Sequence, residues 1–156
     1  MEIPQFEIVC NKPGIELLPH RPPFLFLDLL YSADKTGAVG EYTFTSEKND
    51  FFKGHFPGAP VVPGVILIET MCHVIGAGLV VSGLVGGENR DAGFVLVTVE
   101  YARFRRPVRP GEKLVTVVHN DRVGSKMGVF STKGYVGDEL AAECTVKCIL
   151  ESKEKK

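Results

Sequence analysis

The sequence predicts an α+β protein in which one antiparallel sheet wraps around a single long central helix, and three stretches carry that expectation. The first is the run 64–84, where Val65, Ile66, Leu67, Ile68, Met71, Val74, Ile75, Leu79, Val80 and Val81 leave almost no polar face. At ~1.5 Å per residue this is a helix of ~30 Å that has to be buried all round. The second is the part of the chain beyond it, which supplies four strand-like runs divided by Pro/Gly turns. The third is the approach to the helix, Gly54-His55-Phe56-Pro57-Gly58-Ala59-Pro60-Val61-Val62-Pro63-Gly64, whose three prolines and three glycines specify one stiff path.

Taken in order, residues 14–18 read as a short helix halted by Pro19, because a proline disfavours helix at the residue before it. Residues 24–31 read as a buried strand and 36–45 as a second strand weakened by Gly37 and Gly40. Residues 46–63 form the loop, entered through Asn49-Asp50-Phe51-Phe52-Lys53, and the helix follows. After Gly86-Gly87, strands are expected over 93–101, 113–119, 126–136 and Glu139–Leu150. The last alternates: Leu140, Ala142, Cys144, Val146, Cys148 and Leu150 face one way, Glu143, Thr145 and Lys147 the other, so one surface is buried and one wetter. The Lys/Glu-rich last five residues are expected to fray.

A chain of 156 residues with 44% hydrophobic and 24% charged residues makes one domain, 1–156, with a substantial core. Its formal charge of −1 gives no overall field toward nucleic acid or an anionic membrane. The start, Met1-Glu2-Ile3-Pro4, lacks the basic and hydrophobic regions of a signal peptide, so the cytoplasm is the expected compartment. Glu69 and His73 interrupt the apolar run, which argues against membrane insertion. Cys10, Cys72, Cys144 and Cys148 form no CxxC pattern and read as reduced thiols.

Within the loop, His55 is the only side chain able to exchange a proton near neutral pH, and Glu69 lies about one and a half turns into the helix. Glu69 has Val65, Ile66, Cys72 and His73 as its i±3 and i±4 neighbours, so it belongs to a cleft rather than to a charged stripe. Two acid/base groups on stiff backbone suit general acid–base chemistry. No HExxH, GxSxG or phosphate loop competes, and no metal is expected. Cys72 beside His73 reads as packing. His20 is expected to brace its loop through a hydrogen bond, and His119 to be solvated. Arg103, Arg105, Arg106 and Arg109, with Phe104 among them, form one dense basic patch, equally a solvated turn or a docking site. No second basic or aromatic platform supports nucleic acid.

Three blocks, Leu18-Pro19-His20-Arg21-Pro22-Pro23-Phe24-Leu25, Phe51-Phe52-Lys53-Gly54-His55-Phe56-Pro57-Gly58-Ala59-Pro60-Val61-Val62-Pro63-Gly64 and Ala102-Arg103-Phe104-Arg105-Arg106-Pro107-Val108-Arg109-Pro110-Gly111-Glu112, resemble the signatures of the FabZ-type 3-hydroxyacyl-[acyl carrier protein] dehydratases. The resemblance implies the hotdog fold, a sheet around a central helix, and dehydration of (3R)-hydroxyacyl thioesters without metal or organic cofactor. It implies His55 as the base and Glu69 as the group that protonates or orients the leaving hydroxyl, its pKa pushed upward by the apolar helix. Gly64, at the helix start, would bind the thioester carbonyl, with Phe56 and His73 also on the substrate. Acyl carrier protein is the implied partner, docking on the basic patch, and the implied assembly is a homodimer that shares its sites between subunits, with a trimer of dimers as the larger form. The chain departs from the family at His73, usually glutamine, at Leu29, where an arginine commonly follows the aspartate, and at Thr98, commonly glycine; one turn after Glu69, His73 can bond to it and, if charged, would lower its pKa and make it a poorer acid. A hotdog thioesterase using Glu69 and a noncatalytic carrier-protein binding module remain the alternatives.

Overall fold

A computed structural model describes residues 1–85 and 94–150. Seven strands form one antiparallel sheet: β1 (Ile8–Pro13), β2 (Leu29–Asp34), β3 (Gly37–Thr43), β4 (Phe94–Phe104), β5 (Lys113–Val123), β6 (Met127–Val136) and β7 (Glu139–Leu150). Among the described residues two α-helices accompany them, α1 (Gly14–Leu17) and the long α2 (Gly64–Val81), with one 3-10 turn at Asp50–Lys53. The strand order is β1-β2-β3-β5-β6-β7-β4. The inner face of the sheet closes on α2, where Met71, Ile75 and Leu79 meet Leu30, Phe44, Leu114, Phe130 and Val146, all almost completely buried. Each such side chain contributes roughly 1.5–3 kcal/mol by leaving water. By length and composition α2 could cross a membrane, but here it is the wrapped core helix of the domain.

The helix-in-sheet arrangement is the one the sequence predicts, and β7 alternates as expected, with Ala142, Cys144, Val146 and Cys148 buried. Four expectations are corrected. No strand spans 24–31: β2 begins at Leu29, because the Phe26 amide donates to the His73 side chain and the Phe24 amide to the Arg21 carbonyl, and ladder-like pairing starts with the Asp28 amide on Glu41. β1 was not anticipated; it is an exposed edge strand containing Asn11, Lys12 and Pro13, and only its pairing with β2 creates it. α2 ends at Val81 rather than Leu84, since Gly83 takes φ +73° and the Leu84 amide turns back to the Leu79 carbonyl.

The fourth correction is that α2 is not buried all round. Residues 70–79 are, but Val65 in the first turn is 73% exposed, and Ile66, Ile68 and Glu69, like Val80 and Val81 at the far end, are half-buried. Apolar exposure continues on β4, an edge strand paired only with β7, where Val95, Val97, Val99 and Tyr101 all face solvent. The expected strand start at Gly93, the expected turn at Gly86-Gly87 and the fraying expected of the last five residues all lie outside the described residues.

Where α2 meets β2 and β3 the backbones come close over small side chains. A Cβ added to Gly78 would lie 2.6 Å from the Ala38 methyl, which has no rotamer to escape into. Gly78→Val should therefore cost roughly 1–3 kcal/mol through overpacking. A lower denaturation midpoint at fixed protein concentration checks it; an unchanged midpoint would mean the helix can shift freely on the sheet.

Candidate active site

The loop before α2 is held by its own backbone. The His55 amide donates to the Phe51 carbonyl (2.9 Å), and the Val61 amide donates to the His55 carbonyl (2.9 Å). Phe56 and Ala59 bond across a tight turn in which Gly58 takes φ +78°, a conformation that favours glycine. The His55 ring stacks on Phe56 at 4.1 Å between centroids, and its Nδ1 lies 3.0 Å from the Val61 carbonyl oxygen. A carbonyl can only accept, so Nδ1 carries the hydrogen and the Nε2 lone pair is left free. This half-buried ring is thus oriented as a base.

The loop ends at Pro63, the N-cap of α2, whose carbonyl accepts from both Ile66 (2.9 Å) and Leu67 (3.2 Å). The amides of Gly64 and Val65 have no partner among the described residues, as befits the first turn of a helix. Gly64, expected at the thioester carbonyl, has no Cβ, which leaves room above the helix start. What fills that room within the chain is the Phe104 ring, 2.9 Å from where a Cβ would stand. A cavity of about 340 Å³ lies beside it, lined by Gly64, Leu67, Phe104, Arg105, Pro107 and Val108 among others.

Further along α2, Glu69 Oε1 is 3.0 Å from Nε2 of His73, one turn on. His73, expected on the substrate, is instead fully buried and out of its reach, and its Nδ1 accepts the Phe26 amide at 3.0 Å. A ring nitrogen that accepts carries no hydrogen, so the hydrogen sits on Nε2 and points at Glu69. The ring is clamped between Phe26 (5.5 Å) and His20 (4.3 Å). The sequence places Glu69 in an apolar setting that raises its pKa. In the structure the pKa is lowered, because the His73 hydrogen bond outweighs the burial that opposes it.

His20 completes this cluster, its ligand atom within 4.8 Å of those of Glu69 and His73. It does not brace its loop as expected: Nδ1 is buried without a partner, and burial followed by the neighbouring His73 pushes its pKa down. Its place in the first signature block was the signal that could have found it. Two histidines and a carboxylate are a metal-type set, yet ligation by His73 Nε2 would require its hydrogen to move to Nδ1, against the Phe26 amide. His55 is not part of this cluster; the chain does not bring the two proposed catalytic groups into one hydrogen-bonded set.

The basic patch divides. Arg105 pairs with Glu143 (3.1 Å), and Arg106 with Glu112 (2.7 Å) and Glu139 (3.4 Å). Among the described residues Arg103 and Arg109 form no ion pair and are exposed. Cys72, Cys144 and Cys148 are buried free thiols whose pKa values burial raises, and His119 is exposed as expected, though within β5.

A carboxyl whose pKa is depressed in the folded state adds stability above its unfolded value, and that stability is lost as pH falls through the folded value. Glu69→Gln should therefore be less stable than wild type at neutral pH. The gap should close below the ordinary glutamate range near ~4.3. Denaturation midpoints across pH check this; a gap independent of pH would mean the hydrogen bond does not favour the carboxylate.

A family model described as a FabA-like domain matches residues 18–145. The chain is 36% identical over 141 residues to the 3-hydroxyacyl-[acyl-carrier-protein] dehydratase FabZ of Verminephrobacter eiseniae, covering 88% of this chain and 91% of that protein. With the FabZ of Syntrophotalea carbinolica it shares 39% over 138 residues, 86% and 90% of the two chains. Among solved structures, the dehydratase heterocomplex ApeI:P from Xenorhabdus doucetiae superposes with a TM-score of 0.75 over 92% of this chain and 94% of that one, at 14% identity. Thioesterase superfamily member 2 from Mus musculus follows at 0.57, over 78% and 80%, at 15% identity, a likeness of fold alone. A signature loop that leaves one histidine nitrogen free, a carboxylate on the wrapped helix and this extended match lead to one assignment: the chain belongs to the FabZ-type 3-hydroxyacyl-[acyl carrier protein] dehydratase family.

Proposed function

We propose that this single-domain protein dehydrates (3R)-hydroxyacyl-[acyl carrier protein] to the trans-2-enoyl thioester in cytoplasmic fatty acid biosynthesis. The observation that carries the reading is His55, whose Nδ1–H is pinned to the Val61 carbonyl so that Nε2 is left as a proton acceptor. Dehydration needs a base for the weakly acidic C2 proton, a group facing the C3 hydroxyl and donors for the charge that builds on the thioester oxygen. His55 supplies the first. Glu69, with Oε2 unpartnered among the described residues, faces the second. The free amides of Gly64 and Val65, at the positive end of α2, supply the third.

The separation of His55 from the Glu69 cluster, together with the exposed apolar row on β4 and exposed Val65, supports a homodimer paired along the β4 edge, in which His55 of one chain works with Glu69 of the other. Acyl carrier protein would dock on the unpaired Arg103 and Arg109, whereas Arg105 and Arg106 are already engaged within the chain.

An assay with 3-hydroxyacyl thioesters of several lengths, following enoyl absorbance and thiol release together, tests the reading: enoyl product without thiol is expected, and thiol without enoyl would indicate a thioesterase instead. His55→Ala and Glu69→Gln should each lower kcat by roughly 10²–10⁴-fold. Mixing the two under subunit exchange should restore part of the activity, and no recovery despite exchange would refute the shared site. Arg103→Glu with Arg109→Glu should raise KM about tenfold for the carrier-bound substrate at low salt and leave an N-acetylcysteamine thioester unaffected. Equal losses on both would remove the docking role.

A further inference from the structure

His73 is the one member of the Glu69 cluster that substrate cannot reach, because its side chain is completely buried, and it is held at both nitrogens. The Phe26 amide occupies Nδ1, which obliges Nε2 to carry the hydrogen and to donate it to Oε1 of Glu69. Segment 24–28 gives up a regular strand to do this, and Phe26 and His20 fix the plane of the ring. A permanent donor at 3.0 Å favours the carboxylate over the acid, since the acid form would leave that donor facing a weaker acceptor.

We propose, resting on the dehydratase reading, that His73 is a positioning residue that holds Glu69 as a carboxylate, so that Glu69 orients the leaving hydroxyl as an acceptor and the proton that reaches this hydroxyl is the one His55 has taken from C2. The step balances without an outside proton. His55 Nε2 takes the C2 proton, the electron pair of the C2–H bond forms the C2–C3 double bond, and the C3–O bond breaks with its pair on oxygen. Protonated His55 then returns the proton to that oxygen and water leaves. Oε2 of Glu69 accepts the hydroxyl hydrogen bond throughout, and both groups end in the forms in which they began. The lowered pKa of Glu69 agrees with this geometry. The other titratable groups around Glu69 are His20, whose pKa burial lowers, and the thiols of Cys72 and Cys148, whose pKa values burial raises.

The test compares wild type, His73→Leu and His73→Gln on an N-acetylcysteamine 3-hydroxyacyl thioester across pH, with folding checked by circular dichroism. Wild type should rise through an acidic limb to a plateau. His73→Leu, which removes the donor, should lose roughly 10- to 100-fold in kcat with KM nearly unchanged. The Glu69 carboxyl, followed by carbon-13 spectra, should titrate at higher pH in His73→Leu than in wild type, because a carboxylate without its donor holds a proton more tightly. His73→Gln restores an N–H donor and should recover most of that loss. Wild-type nitrogen-15 spectra should show His73 with its hydrogen on Nε2, a reading that does not depend on any variant folding. An unmoved Glu69 titration or an undiminished kcat in folded His73→Leu, or a wild-type hydrogen on Nδ1, would each overturn the proposal while leaving the dehydratase reading intact. Absence of enoyl product from wild type would overturn that reading first.

Discussion

A helix with apolar residues on nearly every side has to be covered, and the rest of this protein follows from how α2 is covered. Its length sets how far the sheet must reach, and the absence of large side chains at Gly78, Ala38 and Ala33 lets the sheet approach closely. Burial of Met71, Ile75 and Leu79 supplies the driving force. Wrapping also decides what polar groups on the helix can do. Glu69 and His73 sit where water is scarce, so each must find a partner or change its protonation. They find each other, and His73 finds a backbone amide that would otherwise belong to a strand.

That exchange joins fold to site. The Phe26 amide is lost to the sheet, β2 starts later, and a buried imidazole gains a fixed tautomer. Inside a protein such a hydrogen bond is stronger than in water, and an unpaired polar group there is correspondingly costly. The same economy runs through the loop, where the Val61 carbonyl fixes His55 in the opposite sense, hydrogen on Nδ1 and lone pair on Nε2. Two histidines therefore play different parts because different backbone groups face their Nδ1 atoms.

The uncovered surfaces are as informative as the covered ones. α2 starts with an exposed Val65, and β4 offers apolar side chains and an unpaired edge, features that a lone domain in water does not favour. The proposed subunit pairing would cover them and bring a second His55 toward Glu69.

Much of this was legible in the chain itself. The apolar run of α2, the alternation of β7 and the Gly/Pro loop around His55 are local patterns whose physics acts within a few residues, so helix, strand and stiff loop could be read without the fold, and the signature blocks carried the family. Other features depend on residues far apart in sequence. The strand β1 exists only because β2 offers it partners, and the late start of β2 reflects an amide captured by a side chain 47 residues away. The downward shift of Glu69 arises from a hydrogen bond that the i+4 spacing permits, but that Phe26 makes obligatory. His20 enters the cluster, and Arg105 and Arg106 leave the free basic surface, for the same reason. Sequence determines which side chains are available and how the local backbone bends; only tertiary packing decides which donor meets which acceptor, and that pairing sets protonation and free charge.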